Sequence, residues 1–164
     1  MEFTHFDGRG RARMVDVSGK GDTVRTAVAR GYVFMKPETL SMIKEGRIKK
    51  GDVLAVAQVA GIMAAKKTPE IIPMCHNITL AGVDMDFRII DDRNAVAVEA
   101  RVKCTGKTGV EMEALTAVSA ACLTIYDMCK AVDRDMVIKN IQLIEKSGGT
   151  SGDFRREEEV PWEK

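Results

Sequence analysis

Two neighbouring stretches constrain this chain more than any other feature. Val83, Met85, Phe87 and Ile89 alternate with Asp84, Asp86 and Arg88. Val96, Val98, Ala100, Val102 and Cys104 alternate with Ala97, Glu99, Arg101 and Lys103. A period of two sends successive side chains to opposite faces of a strand. Each stretch therefore has one apolar and one wet face. The turn Asp91-Asp92-Arg93-Asn94 joins them into an antiparallel hairpin, a sheet that needs helices on one side only.

The rest of the chain supplies those helices and more strands. Val24–Met35 is rich in β-branched and aromatic residues and is predicted as a strand. Pro37 opens a short helix, Pro37–Glu45, that Gly46 closes. Asp52 is placed to cap the next helix, Val53–Lys67, which is apolar on nearly every face and carries Ala60, Gly61, Ala64 and Ala65. Such a helix is expected to be buried, with close backbone contact to a neighbour. Ile71–Asn77 is a connector. Glu111–Ala131 is a long Ala-rich helix, and Thr108 followed by Glu111 has the spacing of a capping box. Met136–Lys146 is a last strand. Leaving out one helix, the order is βαββαβ. The predicted fold is α+β and ferredoxin-like, an antiparallel sheet with helices on one face and one extra helix. Residues 1–19 are expected to be a flexible arm, 20–154 a single catalytic domain, and 155–164 a charged tail.

Composition removes several functions. Lys plus Arg number 25 and Asp plus Glu 24, a net charge of +1, which disfavours a generic nucleic-acid or membrane-coating surface. Aromatics are 5%, too few for a base-stacking platform. The N-terminal MEFTHFDGRGRAR has no apolar run of the targeting type. Cys75, Cys104, Cys122 and Cys129 form no C-x-x-C pair, so reduced thiols in a cytoplasmic protein are expected.

Several residues carry chemistry, each with a plainer alternative. In Pro73-Met74-Cys75-His76-Asn77, His76 suits donation to a phosphate or substrate oxygen, or is a satisfied loop histidine. Adjacent Cys and His in an extended segment point opposite ways, which disfavours a metal pair or a Cys–His nucleophile. Asp127 and Lys130 share one helix face and are either a surface ion pair or a tuned proton-transfer lysine. Glu111 fits the cap, whereas Glu113 has no such local explanation. Thr105-Gly106-Lys107-Thr108-Gly109 fails the Walker pattern, because Arg101 stands where its first glycine belongs. Three further segments suit anions or are solvated loops: Lys146-Ser147-Gly148-Gly149-Thr150-Ser151-Gly152, Lys49-Lys50-Gly51-Asp52, and Lys20-Gly21-Asp22-Thr23 with Arg25. Together they suit a small phosphorylated substrate better than a polymer.

These segments also resemble one family. Met14-Val15-Asp16-Val17-Ser18, Lys50-Gly51-Asp52-Val53 and Ile72-Pro73-Met74-Cys75-His76 match it. So do the blocks Thr105–Thr116 and Leu123–Ala131, and Lys146-Ser147-Gly148-Gly149. Over about residues 14 to 154 the chain is similar to the cyclic pyranopterin monophosphate synthases, the C proteins of molybdenum cofactor biosynthesis. The resemblance implies a lyase that converts 3′,8-cyclo-7,8-dihydroguanosine 5′-triphosphate into cyclic pyranopterin monophosphate and diphosphate. It implies catalytic roles for Asp127, Lys50 and Lys130. It implies substrate contacts at Met74, Cys75, His76, Met112 and Glu113, with Glu111 and Lys146 as further pocket residues. No metal ligands and no required cofactor are implied, although a divalent cation with the triphosphate stays open. Neither nucleic acid nor membrane is an expected partner. A homo-oligomer is, a hexamer built as a trimer of dimers.

One spacing matters for that assembly. Fourteen residues separate Glu113 from Asp127, about 21 Å at ~1.5 Å per residue, on one helix face. A single small substrate would not bridge that span within one chain, so the sites are expected at subunit interfaces. The rivals are a nucleotide- or RNA-binding module on the same fold, which lacks a run of sheet-face aromatics, and a purely structural oligomer, which leaves Lys50, His76, Asp127 and Lys130 unexplained.

Overall fold

A computed structural model describes residues 7–157. The parts of the expected arm and tail at 1–6 and 158–164 lie outside the described residues.

The elements run β1 (Thr23–Phe34), α1 (Pro37–Lys44), α2 (Val53–Lys66), α3 (Thr68–Ile71), β2 (Leu80–Ile90), β3 (Ala95–Gly106), α4 (Glu111–Cys129), β4 (Val137–Ser147) and β5 (Phe154–Arg155). The strands form one sheet in the order β2-β3-β1-β4-β5, every pair antiparallel. This is the ferredoxin-like α+β arrangement, extended at one edge by a two-residue strand. The hairpin of β2 and β3 closes through a 3₁₀ turn at Asp91–Arg93, with Asn94 in the left-handed conformation at φ 49°. Asparagine tolerates that region better than most residues.

Helices α2 and α4 pack on the apolar face of the sheet. Val96, Val98, Ala100, Val102 and Cys104 of β3 meet Ala114, Ala117, Val118, Ala121, Cys122 and Ile125 of α4 in one core. Two glycines set how closely the layers approach. A Cβ at Gly31 of β1 would lie 2.8 Å from Val118 Cγ1 and 3.0 Å from Ile141 Cγ1. One at Gly61 of α2 would lie 2.7 Å from Met85 Cε and 3.1 Å from the Ala117 carbonyl. The expected close backbone contact of α2 is therefore real, and it is with α4.

Three local expectations are corrected. First, α2 is not buried all round. Val53, Ala57, Gly61 and Ala65 face inward, while Val56, Val59 and Met63 form an exposed stripe. A two-layer domain has one sheet to offer each helix, so only one side is covered. Second, Thr108 and Glu111 form no capping box. The N-cap of α4 is Val110, with no side-chain cap, and Glu111 is the first helical residue rather than the third. Third, the chain does not simply leave helix before Pro69. A one-turn helix, α3, starts at Thr68, where proline suits the first turn. Helix α4 has the length and apolarity of a membrane span (19 residues, mean hydropathy 1.2), yet half of it is buried inside the domain.

Candidate functional site

Helix α4 organises the site, because the residues of interest gather at its two ends. At its N-terminal end a cleft of about 420 Å³ opens. Met74, Cys75 and His76 from the connector after α3 line it, with Glu111, Met112 and Glu113 from the first turn of α4. Val15, Val17 and Lys20 complete the wall from the N-terminal side.

The cleft is built by constraints that sequence patterns do not display. Arg25 is buried, and its guanidinium donates to the carbonyls of Gly106 (Nε, 2.9 Å) and Lys107 (Nη2, 3.1 Å). This holds the loop between β3 and α4. Gly109 leaves room for the Glu111 carboxylate, which a Cβ there would overlap. That carboxylate pairs with Lys146 Nζ at 3.3 Å, tying the start of α4 to the end of β4. Gly148 and Gly149 then turn through φ of 89° and 86°. A side chain at either would strike the Val24 carbonyl or the Arg25 guanidinium. Here glycine meets a conformational need and a steric one together.

His76 donates from Nε2 to the Val15 carbonyl at 2.7 Å, since a carbonyl can only accept. Glu113 is 2% exposed. Burial pushes its carboxyl pKa up, with a further push from Glu111, against an opposing backbone hydrogen bond. Burial, and then Glu113, also push up the Cys75 thiol. A thiol held protonated is a poor nucleophile, so Cys75 fits a contact role better than a covalent one.

The other end of α4 holds a second cluster. Lys130 Nζ lies 2.7 Å from Asp127 Oδ1, and Lys50 Nζ 2.8 Å from Asp127 Oδ2. Lys50 also donates to the Asp127 carbonyl at 2.8 Å. The two cations, Lys130 first, draw the Asp127 pKa down to about 2. Lys50 arrives from the loop that Asp52 terminates: Asp52 Oδ1 accepts from Leu54 N and Ala55 N at the start of α2, the expected cap. All three side chains of the cluster are about half exposed. Among the described residues, nothing closes over them.

The predicted residues thus divide. Met74, Cys75, His76, Glu111, Met112 and Glu113 come together in the cleft, with Lys146 at its edge. Lys50, Asp127 and Lys130 come together 14 residues along α4. The structure does not unite the two groups within one chain. Sequence reasoning missed the part played by Val15 and Val17, whose half-buried side chains line the cleft. Their alternation with exposed Asp16 and Ser18 is the signal that marked them. It also missed Asp133, buried after α4 and accepting from Lys36 N (2.8 Å) and Thr39 Oγ1 (3.1 Å). Nothing in its local sequence distinguishes it from a surface aspartate. Among the described residues, no group of three or more His, Cys, Asp or Glu is placed to hold a metal ion.

Comparison with known proteins gives consistent matches. The model of the MoaC family matches residues 14–149. A protein of Pelotomaculum thermopropionicum called cyclic pyranopterin monophosphate synthase is 62% identical over 159 residues, 97% of this chain and 94% of its own length. Proteins of the same name from Clostridium acetobutylicum (61% over 154 residues, 94% of this chain and 96% of that one) and Thermoanaerobacter sp. (62% over 157 residues, 96% and 99%) are similar to the same extent.

Proposed function

The chain belongs to the MoaC family, and on that premise we propose that it is a cyclic pyranopterin monophosphate synthase. It is then a lyase of molybdenum cofactor biosynthesis. Its substrate is 3′,8-cyclo-7,8-dihydroguanosine 5′-triphosphate, and its products are cyclic pyranopterin monophosphate and diphosphate. The observation that carries the reading is the pairing of both Lys50 and Lys130 with Asp127. Two ammonium groups held on one carboxylate form a ready-made anion site, and the same groups are proton carriers once their partner changes.

The proposed roles follow the two ends of α4. With its pKa at about 2, Asp127 is a carboxylate near neutrality and has no proton to give. It fixes the positions of Lys50 and Lys130 until substrate phosphate competes for them. Opposite charge at close range is the main catalytic resource for a reaction that closes a cyclic phosphate and expels diphosphate. At the other end, the half-apolar cleft of Met74, Cys75 and Met112 suits the ring system. The buried Glu113 carboxyl holds its proton to higher pH than an exposed glutamate and suits donation to a ring nitrogen or oxygen.

A complete site needs both ends. About 21 Å of helix separates them, so the reading includes a shared site: the start of α4 in one subunit meets the end of α4 in another. The exposed stripe Val56, Val59 and Met63, with exposed Leu123 on α4, supports a homo-oligomer. A hexamer of three dimers in the cytoplasm is the proposed assembly. The reaction is proposed to run without a redox cofactor, with a divalent cation accompanying the triphosphate as an open element of the substrate. Mass spectrometry of the mixture after adding the cyclised triphosphate tests the activity. Cyclic pyranopterin monophosphate and diphosphate are the expected products, and unchanged substrate overturns the assignment.

A further inference from the structure

Asp133 follows closely on Lys130 and has no part in the proposed chemistry, yet it is only 1% exposed. A buried carboxylate is costly unless donors surround it. Here they come from two directions. Oδ2 accepts from Lys36 N at 2.8 Å and from Thr39 Oγ1 at 3.1 Å, and Oδ1 accepts from Asp135 N at 3.1 Å. The Lys36 ammonium adds a charge 3.8 Å from Oδ1. Burial works against the carboxylate, but these partners outweigh it and hold its pKa below the ordinary value.

The bonds join the two segments that carry the lysines of the Asp127 cluster. On one side, Lys36 is the N-cap of α1, and no side chain of its own segment caps that helix. Asp133 holds the start of α1 from across the chain, at the helix end where a carboxylate is favoured. From α1 the chain leads straight to Lys50 through a braced turn. Gly46 N and Arg47 N donate back to the Ile43 and Met42 carbonyls, Ile48 is buried in the core, and Gly51 N donates to the Ile48 carbonyl. On the other side, Lys130 N donates to the Tyr126 carbonyl, and Val132 N and Asp133 N donate to that of Cys129. Tyr126 Oη donates to the Arg134 carbonyl at 3.1 Å, which ties the same turn back to α4.

The cluster needs such bracing. Lys50, Asp127 and Lys130 are about half exposed, and ion pairs between exposed side chains fix geometry only weakly by themselves. A capping side chain at position 36 would have served α1 alone. A carboxylate reaching α1 from the turn after α4 serves that helix and also fixes where it stands against Lys130.

We infer that Asp133 is a positioning residue for the reaction: it locks the start of α1 to the turn after α4, and so sets Lys50 and Lys130 where both reach Asp127. The inference rests on the roles proposed above for those two lysines. Asp133 itself touches no substrate and carries no proton.

Asp133→Asn keeps the shape of the side chain and removes its charge. Steady-state kinetics with the cyclised triphosphate compare it with the parent and with Val98→Ala, a core change in β3 that controls for lost stability. At a temperature where all three are folded, kcat should fall at least about tenfold in Asp133→Asn, since misplacing a reacting group by ~1 Å costs up to about a hundredfold. In Val98→Ala it should stay within about threefold of the parent. Competitive acetylation, read by mass spectrometry at each lysine of the unliganded proteins, asks the same question without turnover. Relative to exposed Lys66 and Lys67, both Lys50 and Lys130 should acetylate faster in Asp133→Asn than in the parent, and at the parent's rate in Val98→Ala. Unchanged acetylation of Lys50 and Lys130 in Asp133→Asn overturns the inference. So does a kcat within about threefold of the parent's, or an equal fall in Val98→Ala. If the parent makes no product, the failure is that of the proposed activity, and acetylation alone decides Asp133. If Asp133→Asn does not fold, Thr39→Val takes its place, removing one bond and leaving the carboxylate. Faster acetylation of both lysines then supports the inference, and equal acetylation overturns it.

Discussion

Gly31→Ala probes the contact on which the whole site hangs, since it lies where α4 rests on β1. Alanine is compatible with the extended backbone there, and by itself the change stabilises by about 0.4–1 kcal/mol through the unfolded chain. The new methyl carbon, however, would sit 2.8 Å from Val118 Cγ1, 3.0 Å from Ile141 Cγ1 and 3.4 Å from Cys122 Sγ. Carbon pairs prefer roughly 3.5–4.0 Å, so α4 or β4 must give way by about half to one ångström. Overpacking of this kind costs about 1–3 kcal/mol, which leaves a net loss of about 1–2 kcal/mol. For a domain of this size that lowers the melting temperature by about 2–8 °C. Val118→Ala alone removes two methyl groups, at a cost of about 2 kcal/mol, and also removes the nearest obstacle. The two changes together should therefore cost less than their sum by at least about 0.5 kcal/mol. Urea denaturation at one fixed protein concentration measures all four proteins. Gly31→Ala at or above parent stability, or strict additivity with Val118→Ala, would refute the claim that glycine at 31 exists to admit α4.

Lys50→Ala and Lys130→Ala should each lower turnover by at least about a hundredfold, the low end for a proton carrier; activity within threefold of the parent removes that lysine from the reaction. Glu113→Gln should raise stability near neutrality and not in acid. The folded-state pKa of Glu113 is raised above its ordinary 4.5, so its contribution is fully present below 4.5 and fades as pH rises through the folded value. Melting curves should therefore coincide at pH 4 and separate in favour of the glutamine variant toward pH 7, and the opposite order would contradict a carboxyl whose pKa is raised by burial. Co-expressed Glu113→Ala and Asp127→Ala chains, each inactive alone, should regain part of the activity as verified mixed oligomers, because some interfaces then carry one intact site. Mixed oligomers as inactive as either parent would confine each site to one chain.

The parts of the fold legible in the sequence are those with a period. Alternation in 83–89 and 96–104 located β2 and β3, and Pro37, Gly46 and Asp52 marked helix ends within a residue or two. What stayed hidden depends on contacts between distant segments. Thr108 and Glu111 have capping-box spacing, but Glu111 is drawn instead to Lys146, 35 positions away. The two-residue strand β5 is too short for any pattern, and it is held by Arg156, which bonds the Ile144 and Leu143 carbonyls. At the site, Asp127 and Lys130 lie three apart in sequence and were visible as a pair. Lys50 joins them only through the fold, as their most distant partner, 77 residues from Asp127. The family motifs marked it, and its spacing alone did not. Arg25 sits in no pattern, and the alternation of Val15 and Val17 with Asp16 and Ser18 spans only four residues, so their work in shaping the cleft emerges only in three dimensions.

Because α4 carries one cluster at its first turn and the other at its last, its length acts as a ruler with a built-in phase. One residue inserted between Glu113 and Asp127 would move the ends ~1.5 Å further apart and rotate one against the other by ~100°. The translation is small beside a subunit interface, but the rotation would turn Asp127 and Lys130 away from any surface they share with a neighbour. Two or three inserted residues would leave the ends badly out of phase, and a full heptad would restore the angle to within about 20° while adding ~10 Å. Substitutions along the middle of this helix are therefore far safer than insertions or deletions. Length variation in related chains should collect in the hairpin turn at 91–94 and in the terminal segments, and be missing from residues 113–127. A library of single-residue deletions scored for activity would show the same profile, with its deepest trough over residues 114–126, which contain none of the groups assigned to the chemistry.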